Sequence, residues 1–110
     1  MQYGLNKQEL TRIRVVMASF PEVDKAILYG SRAKGNYKPA SDIDLTFLGD
    51  RLTLTILNKI ALQLDDLMLP CTFDLSIFRH ITNPDLTDHI HRVGVVFYER
   101  QAGNFRDCFD

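Results

Sequence analysis

Residues 30–45 read GSRAKGNYKPASDIDL, a stretch with a glycine–serine pair at its start and two aspartates, one residue apart, near its end. The apolar run Lys25–Tyr29 leads into Gly30 and predicts a strand that ends there. After a turn segment rich in Gly, Asn and Pro, residues 42–48 alternate between polar and apolar types and predict a second strand with one buried face. Both aspartates belong to the face opposite the buried one.

The rest of the chain is predicted to form helices and strands around these two strands. The elements are a helix over about residues 7–20 with a capping box at Asn6 and Glu9, a helix capped by Asp50 with apolar positions from Leu54 to Met68, a strand over 71–78, a helix from Asn83 to Gly94 and a short strand over 95–98. Their order, α-β-β-α-β-α-β, predicts one α/β (α+β) domain over residues 1–110, with a small mixed sheet flanked by helices. Residues 101–110 receive no assignment.

The composition is that of a globular domain, with 110 residues, 45% hydrophobic and 25% charged, which excludes a disordered tail or a fibrous repeat. No apolar run approaches the roughly 20 residues that a membrane helix needs, and the first residues lack the pattern of a signal peptide. We therefore expect a cytoplasmic protein without membrane contact. Thirteen basic and fourteen acidic residues give a net charge of −1, which does not favour direct nucleic-acid binding. Cys71 and Cys108 form no CxxC pair and are predicted to be reduced thiols.

Three carboxylates lie on the polar faces of predicted strands. Asp42 and Asp44 project to the same side of their strand, and Asp74 occupies the matching face of the next predicted strand. If those strands are neighbours, the three side chains converge, and two unit charges about 5 Å apart repel by roughly 3 kcal/mol at an effective dielectric near 20. A cation is needed to offset this repulsion, and carboxylate oxygens are the ligands that Mg²⁺ or Mn²⁺ prefers.

The pair Gly30–Ser31 directly follows a predicted strand and is expected to open a short helical turn. Backbone N–H groups at a helix start, a serine hydroxyl and a glycine without a Cβ together suit phosphate oxygens. Arg32 either contacts the phosphates as a nucleotide-binding residue or is a solvated charge on this turn, and the same two alternatives apply to Lys34. Metal-binding carboxylates beside a phosphate-binding turn indicate chemistry on a nucleoside triphosphate.

Ten residues separate Ser31 from Asp42, which gives the pattern Gly-Ser-x10-Asp-x-Asp. With this pattern and the strand that carries Asp74, most of the chain resembles the minimal nucleotidyltransferases of the polymerase-beta-like superfamily, and this resemblance implies that superfamily's palm fold. It also implies that Asp42 and Asp44 bind two divalent ions (Mg²⁺, with Mn²⁺ as an alternative), and that Asp74 is the third metal-binding and catalytic carboxylate. Gly30 and Ser31 are implied to contact the β- and γ-phosphates of ATP.

Members of that family of this size are commonly antitoxins encoded beside a helical HEPN ribonuclease toxin. The resemblance therefore implies an enzyme that transfers AMP from ATP to a hydroxyl of a HEPN toxin, with which it forms a hetero-oligomer. One alternative is a non-catalytic nucleotide-binding antitoxin that acts by masking the toxin. Another is transfer to a small molecule, which the lack of room for a second domain disfavours.

Other motifs in the chain have plainer interpretations. Residues 42–46 also match DxDxT of haloacid-dehalogenase-type phosphatases, but in that family the motif ends an apolar strand, whereas here it begins one, and the chain is too short for that fold. His80, His89 and His91 are predicted to be surface residues rather than zinc ligands, because the last two face different sides of their helix. A final group of aromatic residues either packs on the core or forms a partner patch; it comprises Phe97, Tyr98, Phe105 and Phe109.

Overall fold

A computed structural model describes residues 2–38 and 41–100, which form alternating helices and strands. The helices are α1 (Lys7–Ala18), α2 (Ser31–Lys34), α3 (Leu54–Asp65) and α4 (Pro84–Val93), with a single 3-10 turn at Phe78–His80. The strands are β1 (Lys25–Tyr29), β2 (Ile43–Leu48), β3 (Phe73–Ile77) and β4 (Val95–Glu99). The predicted order of elements is confirmed, while the prediction for residues 101–110, including Phe105, Cys108 and Phe109, lies outside the described residues.

The four strands form one mixed sheet in the order β3-β2-β1-β4. Strand β1 is antiparallel to β2, which follows it after α2, and to β4, which follows α4 at the end of the described chain. Strand β3 is parallel to β2, and α3 provides the long crossover that a parallel pair requires. The predicted mixed sheet flanked by helices is therefore confirmed.

One face of the sheet carries the hydrophobic core. Ile43, Leu45 and Phe47 of β2 are fully buried there and belong to the same cluster as buried residues of α1 and α3, such as Ile13 and Ile60. The alternation of β2 places these side chains on one face, and burying that face against two amphipathic helices is the main source of stability. The other face of β2 bears the aspartates.

The second face of β2 is not wholly exposed, and the prediction of a single buried face is wrong. Thr46 is fully buried, and its Oγ1 accepts a hydrogen bond from Ser76 Oγ at 2.9 Å. On the same side of the sheet, α4 packs against β1 and sets the ring of His89 against that of Tyr29. On this face Asp44 and Leu48 stay partly exposed on either side of Thr46.

Helix α3 begins four residues later than its predicted cap. Thr53, not Asp50, is the N-cap, and its Oγ1 accepts from the backbone N–H of Ile56 at 3.2 Å. The preceding turn buries Leu52 completely, which keeps Asp50 outside the helix. Met68, predicted as a buried helical position, follows the helix with φ of 58° and is 85% exposed.

The other caps agree with the sequence. Asn6 and Glu9 form the predicted capping box of α1, and the side chain of Asn83 accepts from the first N–H groups of α4. Helix α1 ends at Ala18 rather than at residue 20, with Ser19 as its C-cap.

Within residues 2–38 and 41–100, no helix combines the length and the apolarity that crossing a membrane would demand.

Candidate active site

Asp44 and Asp74 lie opposite each other on the two parallel strands β2 and β3. The register pairs Asp44 with Asp74 on one side and with Tyr29 of β1 on the other. Residues paired across a sheet share a face, so the two carboxyl groups project together. Asp42 precedes β2 by one residue, and its carboxylate accepts a hydrogen bond from the hydroxyl of Thr72. The strands thus bring the three predicted aspartates to the same end of the sheet.

The electrostatics show that these carboxyl groups sense one another. The pKa of Asp44 is raised to about 6, first by burial and then by the negative charges of Asp74 and Asp42. The pKa of the Tyr29 hydroxyl is also raised, mainly by burial and further by Asp74 and Asp44, against the opposing effect of a hydrogen bond with Ser76. This end of the sheet therefore concentrates negative charge that a bound cation would relieve.

The glycine–serine turn is packed directly against this acidic group. Gly30 has φ of 78° and ψ of −157°, a conformation essentially restricted to glycine, and a Cβ there would collide with the carboxylate of Asp44. Ser31 follows as the first, half-buried residue of α2. The N–H groups of a first helical turn lack intrahelical acceptors, and they are available to an anion beside the carboxylates.

Arg32 is not a solvated charge, so that alternative is wrong. Arg32 is only 2% exposed. All three of its guanidinium nitrogens donate to backbone carbonyls. Nε and Nη2 donate to Ser41 O at 3.0 and 2.7 Å, and Nη1 donates to Tyr3 O at 2.8 Å. Because these nitrogens already donate to carbonyls, the geometry does not support the phosphate contact of Arg32, which stays a prediction. Lys34 is exposed on the same turn, and both of its alternatives stay open.

The donor set fits a hard divalent cation. Carboxylate oxygens from Asp42, Asp44 and Asp74 are ligands suited to Mg²⁺ or Mn²⁺, and the raised pKa of Asp44 marks uncompensated negative charge. In the part of the chain that the structure describes, no three His, Cys, Asp or Glu side chains are already arranged to hold a metal ion.

Two of the three histidines lie against aromatic rings. The His89 ring lies edge-on to Tyr29, with centroids 6.1 Å apart, and the His91 ring lies edge-on to Phe78 at 5.8 Å. His89 and His91 thus face different neighbours, as predicted from their spacing. His80 and His91 are exposed as expected, but His89 is half-buried because α4 packs over Tyr29.

Four residues around the carboxylates escape the sequence reasoning. They are Tyr29, Thr46, Thr72 and Ser76, which surround Asp44, Asp74 and Asp42 through register and hydrogen bonds. Thr72 and Ser76 flank Asp74 at two-residue spacing, so strand alternation already places all three on one face. Tyr29 carries no such signal, since its partner is decided by the pairing of β1 with β2.

A mixed sheet of this order, with a Gly-Ser turn packed on a carboxylate pair, defines the class as a nucleotidyltransferase fold of the polymerase beta type. Residues 11–103 match the family described as Polymerase beta, Nucleotidyltransferase, and the chain belongs to that family. Comparison with curated protein sequences gives no match.

Solved structures with this fold include chains of toxin–antitoxin complexes. A toxin–antitoxin crystal structure with AMP-PNP matches at 21% identity and a TM-score of 0.65, over 89% of this chain and 77% of that chain. A tri-AMPylated HEPN toxin from Shewanella oneidensis in complex with an MNT antitoxin matches at 18% identity and 0.64, over 91% and 77%. A MntA–HepT toxin–antitoxin structure matches at 18% identity and 0.63, over 88% and 75%. At these identities the similarity establishes the fold.

Proposed function

We propose that this nucleotidyltransferase is a cytoplasmic antitoxin that transfers AMP from ATP to a hydroxyl of a HEPN ribonuclease toxin, with which it forms a hetero-oligomer. The observation that carries the proposal is the register of Asp44 against Asp74, with Gly30 packed on Asp44. This arrangement supports a site in which metal-binding carboxylates and a phosphate-binding turn are adjacent.

The chain's own residues divide the work of such a transfer. Asp42 and Asp44, with Asp74, would hold two Mg²⁺ or Mn²⁺ ions, which when bound neutralise phosphate charge and align the entering and leaving oxygens. Gly30 lets the turn pack against the carboxylate of Asp44, and Ser31 binds the β- and γ-phosphates of ATP. By resemblance to the family, Asp74 accepts the proton of the attacking hydroxyl; the side chain is exposed and lies opposite Asp44. The hydroxyl oxygen bonds to the α-phosphorus, the bond from that phosphorus to the bridging oxygen breaks, and pyrophosphate leaves.

The choice of acceptor rests on two supports. The sequence resembles a family whose members modify a HEPN toxin, and the fold resembles structures in which a toxin–antitoxin binds AMP-PNP or a HEPN toxin carries AMP groups. The site is also open, since Asp42 and Asp74 are both exposed, so a protein hydroxyl has access to it.

The test is transfer of label from ATP to the partner. The chain is incubated with a HEPN toxin that it binds, Mg²⁺ and ATP labelled in the α-phosphate, and the expected result is labelled toxin. Asp42→Ala and Asp44→Ala should abolish labelling, while Asp65→Ala, an exposed aspartate at the end of α3, serves as the matched control. Absence of labelling with the wild-type chain would contradict the proposal.

Masking without catalysis is the alternative function, and the same experiment separates it. If Asp42→Ala and Asp44→Ala neutralise the toxin as well as the wild-type chain does, and no label appears, the protein acts by covering its partner. The retention of all three carboxylates favours catalysis. Labelling of a small hydroxylated molecule in place of the partner would indicate the third possibility.

A further inference from the structure

The segment that delivers Asp42 to the site is anchored on both sides. On its far side, Ile43 N donates to Thr72 O at 2.9 Å, which ties the start of β2 to β3. On its near side, Ser41 O accepts two hydrogen bonds from Arg32, one from Nε and one from Nη2. Asp42 is the residue between these two anchors, so its position depends on both.

Arg32 is itself held in a single orientation. Nη1 donates to Tyr3 O at 2.8 Å, and the guanidinium carbon lies 5.4 Å from the centre of the Tyr37 ring. Gly4 packs against the guanidinium of Arg32, since a Cβ at position 4 would collide with Nη1 of Arg32 and with the ring of Tyr37. A planar guanidinium with several fixed donors can connect these segments at once, which a lysine ammonium cannot do with the same geometry.

We propose that Arg32 is a positioning residue for Asp42: it fixes Ser41 relative to the Ser31 turn and thereby fixes the metal-binding carboxylate next in the chain. This inference rests on the proposed function, because it gives Asp42 the role of a metal ligand. Arg32 follows Ser31 directly, so one side chain couples the phosphate-binding turn to the start of the carboxylate strand. The proposal assigns Arg32 to the carboxylates, in contrast to the phosphate contact predicted from the sequence.

Two binding measurements distinguish these roles. Mn²⁺ binding without nucleotide is followed by electron paramagnetic resonance, and ATP binding in EDTA is followed by calorimetry. Arg32→Lys keeps the positive charge but loses the paired Nε and Nη2 donors of the guanidinium. A positioning role predicts that Mn²⁺ affinity falls by about tenfold or more, while ATP affinity without metal is unchanged. A phosphate-binding role predicts the reverse, and that result, or unchanged Mn²⁺ affinity, would overturn the proposal. If both affinities fall equally, Arg32→Lys is repeated in an Asp42→Asn background: a positioning role predicts no further loss of Mn²⁺ affinity there, and a further loss would overturn the proposal.

Arg100→Lys is the matched control. Arg100 also donates hydrogen bonds to two backbone carbonyls, from Nε to Val23 O at 3.1 Å and from Nη2 to Phe20 O at 2.6 Å. These contacts lie at the end of β1 that is far from Asp44. Loss of these guanidinium donors in Arg100→Lys should lower the stability of the fold without weakening Mn²⁺ binding. If Arg100→Lys weakens Mn²⁺ binding as much as Arg32→Lys does, the effect reflects general loosening and the proposal fails.

A third measurement requires neither metal nor nucleotide. The backbone amide resonance of Asp42 should shift in Arg32→Lys and stay in place in Arg100→Lys, and an unshifted resonance in Arg32→Lys counts against the positioning role. Wild-type protein that binds no Mn²⁺ would contradict the proposed function, whereas the amide resonance still tests the anchoring of Ser41. If Arg32 variants do not fold, Tyr37 provides a second test. Tyr37→Leu, which removes the ring beside Arg32, should weaken Mn²⁺ binding, whereas Tyr37→Phe, which keeps the ring, should bind Mn²⁺ as the wild type does. Equal Mn²⁺ affinity of these two variants would overturn the proposal.

Discussion

Gly30 lies so close to Asp44 that a single added carbon at position 30 would collide with the Oδ2 atom of that carboxylate. The backbone of Gly30 also has positive φ, so two independent constraints require glycine there. The phosphate-binding turn and the central carboxylate are therefore positioned by one contact. A change at either residue is expected to displace the other.

Gly30→Ala should abolish AMP transfer and also lower stability. Moving Asp44 away from Asp74 misplaces a metal ligand, and a displacement of about 1 Å can cost roughly 100-fold in rate. Gly35→Ala is the matched control, because Gly35 has φ of 87° but nothing near its missing Cβ. It should cost about 1 kcal/mol from backbone strain alone and leave transfer intact. Label transfer and urea unfolding of both variants check this; equal losses of transfer would contradict the role of the contact.

The metal-free protein should lose stability as pH rises toward neutrality, owing to Asp44. The folded-state pKa of Asp44 is about 6 and its ordinary value is 3.8, so between these values the folded chain binds more protons than the unfolded chain. Stability contributed by this group is therefore full below about pH 3.8 and is lost as pH rises through about 6. In EDTA, Asp44→Asn should be more stable than wild type at pH 7.5, with the difference vanishing near pH 4.

Urea unfolding of the two proteins across this range gives the measurement, since all other titrating groups are shared. Identical pH dependence would show that Asp44 titrates normally. Added Mg²⁺ should reverse the ranking at pH 7.5, because a ligand that binds the folded state at about 100 times its Kd stabilises wild type by about 2.7 kcal/mol. The Asn variant, which lacks a central ligand, should gain less.

Asp74→Asn should reduce AMP transfer by about 100-fold or more, the range that a positioned general base contributes, without unfolding the protein. The side chain is exposed and the replacement has nearly the same shape, so the strand pairing of β3 is unaffected. Asp65→Asn, another exposed aspartate, should leave transfer unchanged. Rates of label incorporation and a thermal unfolding curve check both variants. Retained transfer in Asp74→Asn would remove the role assigned to this carboxylate.

Thr53→Ala should destabilise the protein by about 1 kcal/mol, whereas Asp50→Ala should have little effect. The hydroxyl of Thr53 accepts from the N–H of Ile56 and satisfies a donor at the start of α3, while Asp50 is an exposed residue outside the helix. Chemical denaturation of the two variants is sufficient. A larger loss for Asp50→Ala would restore the cap that the sequence suggests.

Much of the fold follows from patterns within single elements. The capping box at Asn6 and Glu9, Pro84 after Asn83 and the alternation of β2 are local signals, and the structure confirms the elements that they predict. The errors occur where a distant segment intervenes. Alternation places Thr46 on the polar face of β2, but it is fully buried and hydrogen-bonded to Ser76 of the paired strand β3. Asp50 has the residue type of an N-cap, but the fully buried Leu52 follows it and α3 is capped by Thr53.

The sequence alone determined the order of the elements, the family pattern Gly-Ser-x10-Asp-x-Asp and the same-face placement of Asp42 with Asp44, because each depends on neighbours in the chain. Only the tertiary structure decided that Asp44 stands between Asp74 on one neighbouring strand and Tyr29 on the other. It also decided that Arg32 is buried against the carbonyls of Ser41 and Tyr3. These relationships come from strand pairing and side-chain packing between segments far apart in sequence, and no local periodicity encodes them.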